Sequence, residues 1–248
     1  MDNALDVVDL RKEYSGFTLD NLTFSLPAGH IMGFVGQNGA GKTTTLRLIL
    51  NMARRDGGSV RVLGMDGLAE ERRFKQDIAV VFDEIPFVDA WSVREVEAAL
   101  RPFYDRWSTE TFAGYTKEFG LPPDKKVKDL SRGMKLKLML AAALSHEAKL
   151  LILDEPTSGL DPVARDEMLG TLHRSASSGC SVLFSTHITS DLDKIADDVT
   201  LIDKGRLVYT GTKAGLIEGF RGLNGAGGAT PNLDEILVAV SKGVAFHA

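Results

Sequence analysis

The segment Gly36-Gln37-Asn38-Gly39-Ala40-Gly41-Lys42-Thr43 constrains this chain more than any other. It follows an apolar run, Ile31–Val35, and leads into a helical pattern from Lys42 to about Met52 with Leu46, Ile49 and Leu50 on one face. Glycines lacking a Cβ let successive backbone N–H groups turn inward and line a cradle for phosphate oxygens. The helix that begins near Lys42 aims its positive end at the same place. Lys42 is then placed to neutralise terminal phosphates, and the Thr43 hydroxyl to ligate magnesium. A strand, glycine loop and helix in that order belong to an α/β fold.

Leu150–Leu153 is a second uninterrupted apolar run, suited to a parallel strand buried on both faces. Asp154 and Glu155 follow at its carboxyl end, where open α/β sheets bind ligands. Asp154 is placed to hold Mg2+, usually through water, and Glu155 to polarise the water that attacks a γ-phosphorus. Alone, two such carboxylates are solvated turn residues; beside a phosphate loop they form a candidate site. Ser131, taken by itself, is a plain N-cap for a helix from about Gly133 to Leu144.

Early in the chain, short apolar strands alternate with turns: Leu5–Leu10, Thr18–Leu26, Ile31–Val35 and Ser59–Leu63. After a strand at Ile78–Phe82 the texture turns helical from Ser92 to about Ser145, with Val93, Val96, Leu100 and Phe103 at helical spacing. Strand signals return at Lys149–Leu153, Val182–Ser185, Val199–Ile202 and Arg206–Tyr209. Gly222–Ala229 reads as a flexible link before an amphipathic helix from about Asn232 to Ser241. The expected organisation is one domain over residues 1–248. A nucleotide-binding core with an N-terminal antiparallel β layer takes 1–85 and 146–220, a helical insertion subdomain 86–145, and the link plus C-terminal helix 221–248.

Bulk properties narrow the function. A net charge of −5 argues against general polyanion binding, so no nucleic-acid partner is expected. The single cysteine, Cys180, excludes an intramolecular disulfide and a multi-cysteine metal site, and reads as a small buried residue beside a strand. Met1-Asp2-Asn3-Ala4-Leu5-Asp6 lacks the regions of a secretory signal, and no apolar run approaches the roughly 20 residues of a spanning helix. The expectation is a cytoplasmic chain that reaches a membrane by holding something embedded there.

In order, the phosphate loop, Leu130-Ser131-Arg132-Gly133-Met134, the run Leu150–Asp161 and Ser185-Thr186-His187 resemble the ATP-binding cassette ATPases from about Val7 to Ile202. The resemblance implies a P-loop NTPase core, with ATP and Mg2+ bound. Gly36, Gln37, Asn38, Gly39, Ala40, Gly41, Lys42, Thr43 and Thr44 match the phosphate-binding segment, and Leu150–Glu155 the acidic strand. Ser131 and Gly133 match signature positions that contact the γ-phosphate held by a partner subunit. Asp161 matches an aspartate lining the dimer seam, and His187 the switch histidine that hydrogen-bonds the γ-phosphate. Tyr14 resembles the aromatic that stacks on adenine; core packing is a rival reading for it, and Phe17 is a second candidate. The implied catalytic set is thus Lys42, Glu155 and His187, and the metal set Thr43, Asp154 and Asp83.

The sequence departs from the family pattern twice. Its signature is Leu-Ser-Arg-Gly-Met, which keeps Ser131 and the Gly133 backbone but puts Arg132 and Met134 at the interface. Asp83 stands where the family usually has glutamine. A carboxylate there accepts a metal but cannot donate a hydrogen bond as an amide does.

The resemblance also implies a second cassette subunit, identical or different, closing over ATP, and a separate integral-membrane permease on whose inner face the chain sits. In relatives the region of Ile85–Trp91 receives a short helix from that permease; Phe87 and Trp91 read equally well as core. The short single cassette is similar to ATPases of bacterial exporters for drugs, peptides or antibiotics. Two other readings stay open: a soluble cassette ATPase outside transport, as in cluster assembly, and a weakly hydrolysing ATP-dependent regulatory module.

Overall fold

Alternating burial builds the first layer. In the computed structural model, which describes residues 2–82, 84–223 and 231–242, β1 (Asn3–Tyr14) and β2 (Phe17–Pro27) pair antiparallel as a hairpin. Leu5, Val7, Leu19, Leu22 and Leu26 are buried beneath it while most intervening polar residues face outward. The chain leaves this layer through β3 (Ile31–Val35) and α1 (Lys42–Ile49) and returns as β4 (Gly57–Val62) and β5 (Met65–Asp66). The sheet order is β2-β1-β4-β5. The short α2 (Glu71–Phe74) follows.

Between β6 (Ile78–Val81) and β7 (Leu150–Asp154) lie α3 (Val93–Leu100), α4 (Thr109–Glu118) and α5 (Arg132–Leu144). Val93, Val96, Phe112 and Leu138 form their own apolar cluster. The other side of α5 puts Leu136, Met139 and Leu140 into a core shared with the large sheet. A helix apolar on so many sides must be covered on several, and α5 is the common wall.

The remaining chain is α6 (Pro162–Ser177), β8 (Ser181–Thr186), α7 (Thr189–Ile195), β9 (Asp198–Asp203), β10 (Arg206–Thr212), α8 (Lys213–Leu223) and α9 (Leu233–Ser241). The second sheet has six strands in the order β10-β9-β3-β8-β7-β6. All its pairs are parallel except β10 with β9 at the edge. Every residue of β3, β7 and β8 is buried, because α1 and the first layer cover one face while α5, α6 and α7 cover the other. Capping by Asn232 starts α9, and Thr189 donates to Asp234 at 2.6 Å to fasten it to α7. Among the described residues no helix is long and apolar enough to cross a membrane.

Several elements differ from the sequence expectation, each for a local reason. Helix α1 stops at Ile49, short of Met52, since Asn51 adopts a left-handed backbone with φ of 55°. Phe103 is not on the α3 face: α3 ends at Leu100, a single tight turn with Pro102 follows, and the Phe103 ring is 71% exposed. Helix α6 is an addition to the expected elements, and Asp161 as N-cap and Pro162 at the first helical position signal its start. Helix α8 continues to Leu223, through the first positions assigned to the link; residues 224–230 lie outside the described residues. Cys180 is a packing residue whose thiol burial pushes up to about 12.

Candidate nucleotide site

The loop from Gly36 to Thr44 leaves β3 at the edge where the parallel strands end. A Cβ at Gly36 would meet the Ile202 carbonyl oxygen at 2.5 Å, so no side chain fits there. Gly41, at φ 111°, is the left-handed N-cap of α1 and carries no side chain to occupy the first-turn N–H groups. Those donors remain available to an anion. A cleft of about 410 Å³ opens beside them, lined by Phe17, Gln37, Asn38, Gly39, Gly41 to Thr44 and Glu155.

Lys42 is 6% exposed, and its ammonium donates to the Gly36 carbonyl at 2.7 Å. It also lies 3.2 Å from Glu155 Oε1. The other carboxylate oxygen of Glu155 is 2.8 Å from His187 Nδ1. Lys42, Glu155 and His187 thus form one chain of polar contacts that runs from the cleft to His187. Thr43 Oγ1 donates to Asp154 Oδ2 at 2.7 Å. These two oxygen donors suit a hard cation such as Mg2+, which takes carboxylate, hydroxyl, phosphate and water oxygens.

Ser185, named in the sequence only as the start of Ser185-Thr186-His187 and given no role of its own, holds both acids in place. Its hydroxyl donates to Asp154 Oδ1 at 2.5 Å and accepts from the Glu155 backbone N–H at 3.0 Å. The available signal was a hydroxyl directly after the apolar run Val182–Phe184, at the end of the strand that leads to His187.

The other expected residues lie elsewhere. Ser131, Gly133 and Asp161 do not line the cleft. Ser131 is the exposed N-cap of α5, and Asp161 caps α6 by accepting from Val163 and Ala164 N–H at 3.0 Å. A Cβ on Gly133 would stand 3.5 Å from Leu160 and one on Gly159 3.4 Å from the Arg132 guanidinium, so these two segments are neighbours. Tyr14 is 44% exposed, with Lys12 over its ring; of the two aromatic candidates, only Phe17 lines the cleft. Asp83 lies outside the described residues.

A second cavity, of about 370 Å³, runs between β6, α5 and the segment after Phe82. Its walls include Leu50, Met52, Val80, Phe87, Leu100 and Met139. His146 forms part of the wall: Nε2 donates to the Ile78 carbonyl at 2.9 Å and the ring stacks on Tyr104. Burial holds this imidazole below the usual histidine range, which keeps it neutral. Phe87 is half-buried against this wall, and Trp91 packs with the helical cluster.

A mostly parallel sheet in which one inner strand turns through a glycine loop into Lys42 and Thr43, and in which the next strand but one ends at Asp154 with Glu155 following, defines a P-loop nucleoside triphosphatase fold. A solved structure described as "Structure of ATP binding subunit of ABC transporter" matches with a TM-score of 0.84 at 26% identity, over 96% of this chain and 99% of that one. The ABC transporter family model matches residues 19–158. The chain is 36% identical over 224 residues to "Nod factor export ATP-binding protein I" of Rhizobium leguminosarum bv. viciae, spanning 87% of this chain and 71% of that protein. It is 33% identical over 215 residues to "Daunorubicin/doxorubicin resistance ATP-binding protein DrrA" of Streptomyces peucetius, spanning 84% and 65%. The chain belongs to the ABC transporter family, as an ATP-binding subunit with ATPase activity.

Replacing Ser185 by Ala leaves a buried Asp154 oxygen without its hydroxyl donor and the Glu155 N–H with only the residue-185 carbonyl. The expected cost is about 1–3 kcal/mol of unfolding free energy, measured by denaturant titration. Unchanged stability would show that the hydroxyl holds neither acid.

Proposed function

We propose that this chain is the energy-coupling subunit of a membrane exporter, closing with a second cassette over ATP. The observation that carries this reading is the separation of two groups. Lys42 and Glu155 line the cleft and His187 contacts Glu155, whereas Ser131, Gly133 and Asp161 neither line it nor contact these three and lie on neighbouring segments. One protomer therefore supplies only half of the contacts a triphosphate needs. A second, identical or different, brings its signature segment over the same nucleotide.

In this reading the 36–44 loop and the N-terminal end of α1 hold the phosphates, and Lys42 neutralises their charge. Phe17 or Tyr14 offers the adenine a ring face. Thr43 and Asp154, with Asp83, would hold Mg2+, which would supply neutralisation of phosphate charge. Glu155 orients and polarises the attacking water, and His187 donates to the γ-phosphate. ATP bridges two protomers and its hydrolysis products do not, so the nucleotide favours the closed pair over the open one.

The work is delivered through the apolar groove between β6 and α5, which suits a short apolar segment of an integral-membrane permease. That partner holds the chain at the inner face of the membrane. The cargo in this reading is a drug, peptide or antibiotic; export in the name of the Nod factor relative supports outward transport, and daunorubicin/doxorubicin resistance in the other supports a drug cargo. Asp83 in place of glutamine favours one second reading, a module that hydrolyses slowly and acts through ATP binding.

Lys42→Ala is expected to weaken ATP binding roughly 10- to 100-fold, as loss of a charge-assisted contact does. Calorimetry checks it, and unchanged affinity would remove Lys42 from the site. Glu155→Gln is expected to keep ATP affinity, nearly abolish turnover and accumulate a dimer with ATP and Mg2+ on size-exclusion chromatography. A monomer under those conditions sinks the two-protomer arrangement. Asp83→Gln is expected to move the Mg2+ dependence of turnover; an identical profile refutes a metal role for Asp83.

A further inference from the structure

Asp191 is fully buried, lies one helical turn beyond His187, and has no part in the chemistry described above. A buried carboxylate is costly unless every lone pair that left water finds a donor. Here each oxygen meets one partner from another element. Arg165 Nε donates to Oδ1 at 2.5 Å, and the buried Thr157 hydroxyl donates to Oδ2 at 2.5 Å. Arg165 also donates to Ser190 Oγ, Asp191's neighbour, at 2.7 Å.

The partners come from the segments that carry the site. Thr157 is two residues past Glu155. Arg165 stands in the first turn of α6, its N–H bonded to the carbonyl of Asp161 at 3.0 Å. Asp191 follows His187 by four residues on α7, and His187 in turn contacts Glu155. A single charged group therefore ties the loop bearing Glu155 and Asp161 to the helix that follows His187.

We infer that Asp191 is a positioning residue: through Thr157 and Arg165 it sets His187 against Glu155 and couples the switch histidine to the loop that carries Asp161. The inference rests on the roles proposed above for His187 and Glu155. Both oxygens act together, so the clamp fixes rotation as well as distance. An asparagine keeps the size and one acceptor, but removes the charge that pairs with Arg165.

The test uses Asp191→Asn and Arg165→Gln in the full chain, with two readouts. Steady-state ATPase assays should show kcat reduced roughly tenfold with KM for ATP within about twofold, because the phosphate loop is untouched. Ring 15N–1H spectra of histidine-labelled protein should show the His187 resonances displaced while those of His30 and His146 stay in place. Should Asp191→Asn fail to fold, Arg165→Gln, at a partly exposed side chain, is read in the same way. His187 resonances that do not move in the folded variants, or a KM that rises in step with the loss of kcat, would overturn the inference. His187→Ala separates the two levels. Wild-type turnover in that variant removes the catalytic role of His187, while the ring resonances decide by themselves whether Asp191 holds it.

Discussion

Three buried strands that end level with one another are the constraint on which the site depends. Val35 pairs with Thr186 across β3 and β8, and Asp154 with Ser185 across β7 and β8. The glycine loop, Glu155 and His187 therefore leave the sheet side by side. Strands covered on both faces have no spare register, since a slip of one residue would drive every side chain into the opposite layer. Glu155 pays for this position with a left-handed backbone, φ 50°, rare for a residue with a long side chain. The Ser185 carbonyl and hydroxyl both bond its N–H and hold it there.

A second consequence of the packing is that α5 connects distant surfaces. Its first residues neighbour Leu160 and Ala164, and further along it Met139, Ala142 and Ala143 line the apolar groove. Thirteen helical residues make a stiff rod of about 20 Å. Because one side of α5 packs with α3 and α4 and another with the large sheet, the rod cannot shift without disturbing both clusters. Packed side chains thus join the start of α5 to the groove without a gap.

Much of this was legible in the residues. The bounds of β3 agree with the run Ile31–Val35, since an uninterrupted apolar stretch between a turn and a glycine loop leaves little choice. The phosphate loop was equally plain, because its chemistry is local: glycines, a lysine and a threonine at set spacing before a helix. Helix α6 was not, as only Met168, Leu169, Thr171 and Leu172 among its residues are buried and the polar remainder blurs its period. Phe103 fitted a helical spacing that Pro102 interrupts. Tyr14 and Phe17 face each other across a hairpin, and no spacing rule says which ring turns to the cleft. The partners of Ser185 and Asp191 were not legible in the sequence for the same reason: they lie more than 20 residues away in the chain.

Sequence alone determined the chemistry available here: the phosphate cradle, its lysine, the acid pair after a buried strand, and the family to which these belong. Those features rest on neighbours in the chain, where backbone geometry limits what residues at fixed spacing can do. Only the tertiary structure decided which groups meet. It joined Lys42, Glu155 and His187 in one line, set Ser131, Gly133 and Asp161 apart from them, and buried Asp191 between two helices. Sheet register and side-chain packing make those choices, and both depend on contacts between residues remote in sequence.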